Sequence, residues 1–203
     1  MNTVGISLGW NCSPATAAVS NGLRTTKADG YRTCPFDEMV TNLPGIIECL
    51  RDDFKYFTDS KYLALKEAPF TSGGVVQGER LIHNTKYNFF CNHESPDHAG
   101  LYISQNWQGG KYHYMDNDYK LFKERYNRRV DSFRDYINSG DRIAFIISRF
   151  SEDYTELHKA LSETYPNLEY DILHMTPPEE RQMVLEHYKL MQVPDEITNL
   201  EFN

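Results

Sequence analysis

Val4-Gly5-Ile6-Ser7-Leu8-Gly9-Trp10-Asn11-Cys12-Ser13-Pro14 decides the architecture of this chain. Val4, Ile6 and Leu8 alternate with the small residues Gly5 and Ser7, the pattern of a strand near the middle of a sheet. Gly9 lets the backbone turn sharply. Ser13 before Pro14 is a helix start, with the hydroxyl as N-cap and proline in the first turn, where its missing N–H costs nothing. The small-residue run Ala15 to Asn21 then predicts a short helix stopped by Gly22 in a left-handed cap. Cys12 therefore lies at a helix N-terminus, where free N–H groups and the positive end of the dipole favour thiolate over thiol. The same geometry suits a phosphate, but Ser-Leu-Gly-Trp-Asn-Cys matches neither a dinucleotide fingerprint nor a P-loop.

The 203 residues are enough for one well-buried core, and we expect a single domain over residues 1–191 with a tail from 192 to 203. A net charge of −8 argues against nucleic acid as a partner over the whole surface. No apolar run has the length of a membrane span and the first residues do not read as a signal peptide, so no membrane partner is expected. The four cysteines, Cys12, Cys34, Cys49 and Cys91, have no Cys-x-x-Cys spacing; we read them as reduced thiols of a cytoplasmic protein.

Downstream, Leu43, Ile46, Ile47, Leu50, Phe54 and Phe57 form a helical stripe behind a cap at Asn42 or Thr41. The glycine-punctuated region from Lys61 to Gln108 reads as two or three short antiparallel strands, including Leu81-Ile82-His83 and Tyr87 to Cys91. A long helix is expected over Asp116 to Ser139, its stripe running from Tyr119 through Phe122, Tyr126, Val130 and Phe133 to Ile137, with Gly140 as stop. Arg142 to Phe150 is a nearly continuous apolar run, as in a central strand covered on both faces. Ser151 is expected to cap a helix with Leu157, Ala160 and Leu161 inward. A strand over Leu168 to His174 and a helix from Thr176 to about Met191 complete the pattern. These segments predict a three-layer α/β/α fold with a mixed, partly parallel sheet and an antiparallel excursion in the middle.

A cysteine nucleophile needs a base in reach and a group to orient that base. Of seven histidines, His93 directly follows the strand ending at Cys91, a place where rigid scaffolds display functional side chains. Asp37, fixed by Pro35-Phe36, is a candidate orienting acid; Asp97 and Asp116 stay open. His93-Glu94 with Asp97-His98 lacks the helical spacing of a zinc site, and no metal or other cofactor is expected. Arg125 and Arg129 would share a helix face while Arg128 points elsewhere. Arg149, closing the central strand, would point into the crevice where α/β sheets bind ligands.

In series, Ser7-Leu8-Gly9 with Cys12, Leu23-Arg24, Pro35-Phe36-Asp37, Tyr87-Asn88 with His93, Tyr126 with Arg128-Arg129, and a strand ending at Arg149 resemble a family described as putative papain-like cysteine peptidases, a domain of unknown function. The resemblance runs from about residue 4 to residue 150. It departs from the family pattern where a tryptophan usually follows Pro-Phe-Asp and this chain has Glu38; Glu94 matches the acidic residue after the histidine. The resemblance implies a thiol-dependent activity with Cys12 as nucleophile and His93 as base, and a papain-like α+β fold as the alternative architecture. The expected activity is acyl transfer, as a peptidase, amidase or acyltransferase acting on a peptide or other acyl or amide substrate. Asn11, Arg128, Arg129 and Arg149 are the expected substrate contacts, suited to an anionic substrate. The competing reading is a non-catalytic module binding a glycan, an anionic ligand or a partner protein. The oligomeric state stays open.

Overall fold

The computed structural model describes residues 2–71, 75–98, 107–148 and 153–175. The expectations for Arg149, for a cap at Ser151 and for the helix and tail from Thr176 onward lie outside these residues. Two sheets organise the rest. Strands β1 (Thr3–Ser7), β5 (Arg142–Ile147) and β6 (Tyr170–His174) form a parallel sheet in the order β1-β5-β6. Strands β2 (Leu63–Glu67), β3 (Arg80–Asn84) and β4 (Phe89–Cys91) form an antiparallel meander. The fold is α/β, with the antiparallel excursion as its own sheet.

The apolar run of β5 makes it the centre strand, and Ile143 to Ile147 are all buried. β1 lies beside it rather than in the middle, paired from Thr3↔Arg142 to Ser7↔Ile146. Its small residues answer a different need. A Cβ at Gly5 would come within 2.9 Å of the Leu23 Cβ and 3.2 Å of the Ala18 Cβ. That crowding arises because helix α1 (Ser13–Ser20) folds back along β1 and its exit chain bonds to the strand, Gly5 N–H donating to Leu23 O at 2.7 Å. Gly22, at φ +67°, makes the reversal: the Leu23 N–H reaches Ala18 O at 2.9 Å and the Gly22 N–H reaches Val19 O at 3.0 Å, a paired left-handed cap.

Asn42 caps α2 (Leu43–Arg51), accepting from Gly45 N–H at 2.8 Å, while its amide donates to Tyr87 O and Asn88 O in the β3–β4 turn. The helix stops at Arg51, short of the expected stripe, but Phe54 and Phe57 still enter the core through the turns that follow. There Phe57 meets Tyr126 at 5.4 Å and Phe54 meets Phe133 at 5.2 Å, ring centroid to centroid. Tyr126 and Phe133 come from α3 (Asp116–Ile137), whose inward residues Phe122, Tyr126, Val130 and Phe133 recur at helical spacing. Asn117, Asp118 and Tyr119 have left-handed backbone angles that break the helix near its start, so the regular stripe begins after Tyr119. α4 (Thr155–Thr164) buries Leu157, Ala160 and Leu161; the Asp153 carboxylate accepts the Thr155 N–H at 2.9 Å.

The turn after β1 places the site. Gly9 and Trp10 have φ of +82° and +89°. The Thr41 hydroxyl holds them, accepting the Trp10 N–H at 3.0 Å and donating to Leu8 O at 3.1 Å, while Thr41 N–H donates to Trp10 O at 3.2 Å. A Cβ on Gly9 would lie 2.4 Å from the Thr41 oxygen. Gly9→Ala combines that clash with left-handed strain, and we expect it to lower unfolding free energy by about 2–4 kcal/mol in urea denaturation. Stability within about 0.5 kcal/mol of the parent would contradict the account.

Candidate active site

The helix starts one residue earlier than the sequence suggests, which brings Cys12 into the helix start. Cys12 is itself the N-cap of α1, with Ser13 and Pro14 in the first turn. Ser13 N–H donates to Asn11 Oδ1 at 2.7 Å, Pro14 has no N–H, and Thr16 N–H closes the first turn on Cys12 O at 3.1 Å. Asn11 is thus buried at the helix entry, and Cys12 is exposed. The other three cysteines are buried, and burial pushes the Cys34, Cys49 and Cys91 thiols above their usual value.

His93 sits in a single 3-10 turn, Asn92–Glu94, immediately after β4. Two hydrogen bonds tie that strand to the segment that holds the cysteine turn: Val40 N–H to Phe90 O at 2.8 Å, and Phe90 N–H to Val40 O at 2.9 Å. Thr41, the next residue, grips Trp10. Cys12 and His93 consequently face one cavity of about 330 Å³, with Arg24, Lys27, Tyr31, Asp37 and Glu38 in its wall. The structure therefore brings together three of the residues singled out from sequence: Cys12, His93 and Asp37.

The acids divide their work. Asp37, buried in the 3-10 turn Pro35–Glu38, accepts from Arg24 Nη1 at 2.8 Å and from Cys34 N–H at 2.9 Å. The Arg24 guanidinium lies 4.0 Å from the Tyr31 ring centroid. Two carboxylates act on the histidine, Glu94 first and then Glu38, the residue at the family's usual tryptophan position. Burial pushes the Glu38 carboxyl up, but Arg129, Lys27 and His93 outweigh it and hold it down at about 2. Burial lowers the His93 imidazole, with Arg129 and His98 in the same direction and Glu94 and Glu38 opposing. The balance favours the neutral imidazole, the form that accepts a proton.

Behind the wall, Arg125 and Arg129 project from one face of α3. Arg129 pairs with Glu38 and lies 3.6 Å from Glu94 Oε1; Arg125 Nε is 2.7 Å from the same Glu94 oxygen. Tyr126 OH donates to Glu94 Oε2 at 2.9 Å. Arg129 is thus held by two carboxylates, while Arg128 is exposed. Asp97, left open as an orienting acid, is clamped by Arg80 at 2.9 Å. Among the described residues, no group of three or more His, Cys, Asp or Glu could hold a metal, and no helix is long and apolar enough to cross a membrane. Glu38 was missed as a site residue because its role is fixed by partners on α3, far away in sequence; its standing where the family has tryptophan was the available signal.

A thiol at a helix N-terminus thus shares a pocket with an imidazole and buried carboxylates. The chain belongs to the family described as "putative papain-like cysteine peptidase", which it matches over residues 3–175. No curated protein and no solved structure matches it.

The depressed Glu38 carboxyl makes a stability statement. Its contribution is complete above about pH 4.5 and is lost as pH falls towards 2, an effect on the order of 3 kcal/mol. Denaturation of Glu38→Gln against the parent at pH 7, 4.5 and 2.5 tests it: the variant is less stable at pH 7 and the gap narrows in acid. A gap independent of pH would show that the Glu38 charge is not what stabilises the wall.

Proposed function

We propose that this protein is a cysteine-dependent acyl-transfer enzyme, a peptidase, amidase or acyltransferase, with Cys12 as nucleophile and His93 as base. The observation that carries the reading is the shared cavity: the single exposed thiol and the His93 imidazole line it together. Cys12 Sγ gives its proton to His93 and attacks the substrate's acyl carbon, forming a tetrahedral adduct. The positive end of α1, fixed by Asn11, faces the oxyanion. The adduct collapses to a thioester as the His93 imidazolium protonates the leaving amine or alcohol, and water or an acceptor nucleophile then releases the acyl group. Glu38 and Glu94 stabilise the imidazolium; Asp37 holds the wall through Arg24. Arg128 and Arg129, and Arg149 on sequence grounds, are proposed as contacts for an anionic substrate. The peptide is the substrate class that the family description favours.

Alkylation tests the thiol and its environment together. In the folded protein at pH 7, iodoacetamide modifies Cys12 and spares Cys34, Cys49 and Cys91; in denaturant all four react. On a panel of peptide, amide and thioester substrates, Cys12→Ala abolishes turnover and His93→Ala lowers it about 100-fold or more. Turnover surviving Cys12→Ala would remove the nucleophile. Uniform protection of all four thiols would favour a binding module instead.

A further inference from the structure

A second cavity, of about 370 Å³, opens on the other side of Lys27. Its wall is Lys27, Arg32, Thr33, Arg125, Arg128, Arg129 and Ser132. Five of these are cations and none is an acid, in a chain whose net charge is −8. The concentration is local and has a structural cause. Glu38 and Glu94 hold Arg125 and Arg129 from the inner side, so these two are positioned before any ligand arrives, and the exposed Lys27 also pairs with Glu38. Arg32 is paired with Asp135, but both side chains are more than half exposed, and such a pair is weak and readily exchanged. Arg128 has no ion pair among the described residues. Five cations facing three acids leave two positive charges over, the complement of a dianion.

We propose that this cavity binds the phosphate or diphosphate group of a small molecule. Guanidinium forks suit tetrahedral oxyanions, which accept paired N–H bonds, and the hydroxyls of Thr33 and Ser132 add polar lining. A single carboxylate would leave a positive charge uncompensated. The wall has no aromatic platform on which a nucleic-acid base could stack. Lys27 belongs to both cavities, so a phosphate held here extends its carrier towards Cys12. That continuity rests on the function proposed above; the anion site itself does not.

Isothermal titration with sodium pyrophosphate separates the two. The parent protein binds it, more weakly as salt is raised from 50 to 200 mM. Arg128→Ala and Arg32→Ala, both at exposed positions, each weaken binding about tenfold or more while leaving the melting temperature unchanged. Cys12→Ser binds as the parent does, so loss of the thiol chemistry would leave this site standing. The proposal is overturned if the parent shows no binding, if both arginine variants bind like the parent, or if an aspartate-rich or phosphoserine peptide binds more tightly than pyrophosphate.

Discussion

Two consecutive residues, Val40 and Thr41, hold the site together. Val40 exchanges both backbone hydrogen bonds with Phe90, and Thr41 straddles the turn at Gly9-Trp10 with its hydroxyl and its amide. One clasp therefore fixes the end of a parallel strand against the end of an antiparallel one. Cys12 follows the first by two residues beyond Trp10, and His93 follows the second by three beyond Phe90. Neither sheet alone would bring sulfur and imidazole to one cavity. The requirement explains the left-handed angles at Gly9 and Trp10, because only so tight a reversal presents the Trp10 N–H to the Thr41 oxygen while delivering Cys12 to a helix start.

The second constraint is electrostatic. α3 sends two arginines inward, one turn apart, into a region where Glu38 and Glu94 are largely withdrawn from water. Each of those charges would be expensive alone and is tolerable only with its partners. The arrangement also joins the 3-10 turns carrying Glu38 and His93 to the longest helix, so the wall of the cavity is anchored in the aromatic core through Tyr126. The same arginines have an outer side, which is why a site built to hold carboxylates inside presents surplus positive charge outside.

Features governed by local chemistry were legible in the sequence. The Gly22 cap, the Asn42 cap, the central β5 strand, the thiol at a helix start and the shared face of Arg125 and Arg129 all depend on neighbours a few residues away. What stayed hidden depends on distant partners. Leu63–Glu67, Leu-Ala-Leu-Lys-Glu, consists of good helix formers and becomes a strand because β3 is there to pair with it. Small residues in β1 suggested a middle strand, whereas they make room for the returning chain at Leu23. The rigid setting of Asp37 is legible in Pro35-Phe36, and the structure adds what surrounds it: Arg24 and the Cys34 amide on its oxygens.

The pairing of β1 with β5 joins almost the first described residues to ones far along the chain, and Leu8 N–H donates to Ile146 O just before the glycine turn. On a ribosome, Ile146, which pairs with the strand just before the reversal, emerges only after the whole antiparallel meander and α3 have been made. Until β5 is made, a nascent chain has only Thr41 to hold the turn that carries Cys12. The cavity that Cys12 and His93 share thus gains its parallel support only late in synthesis.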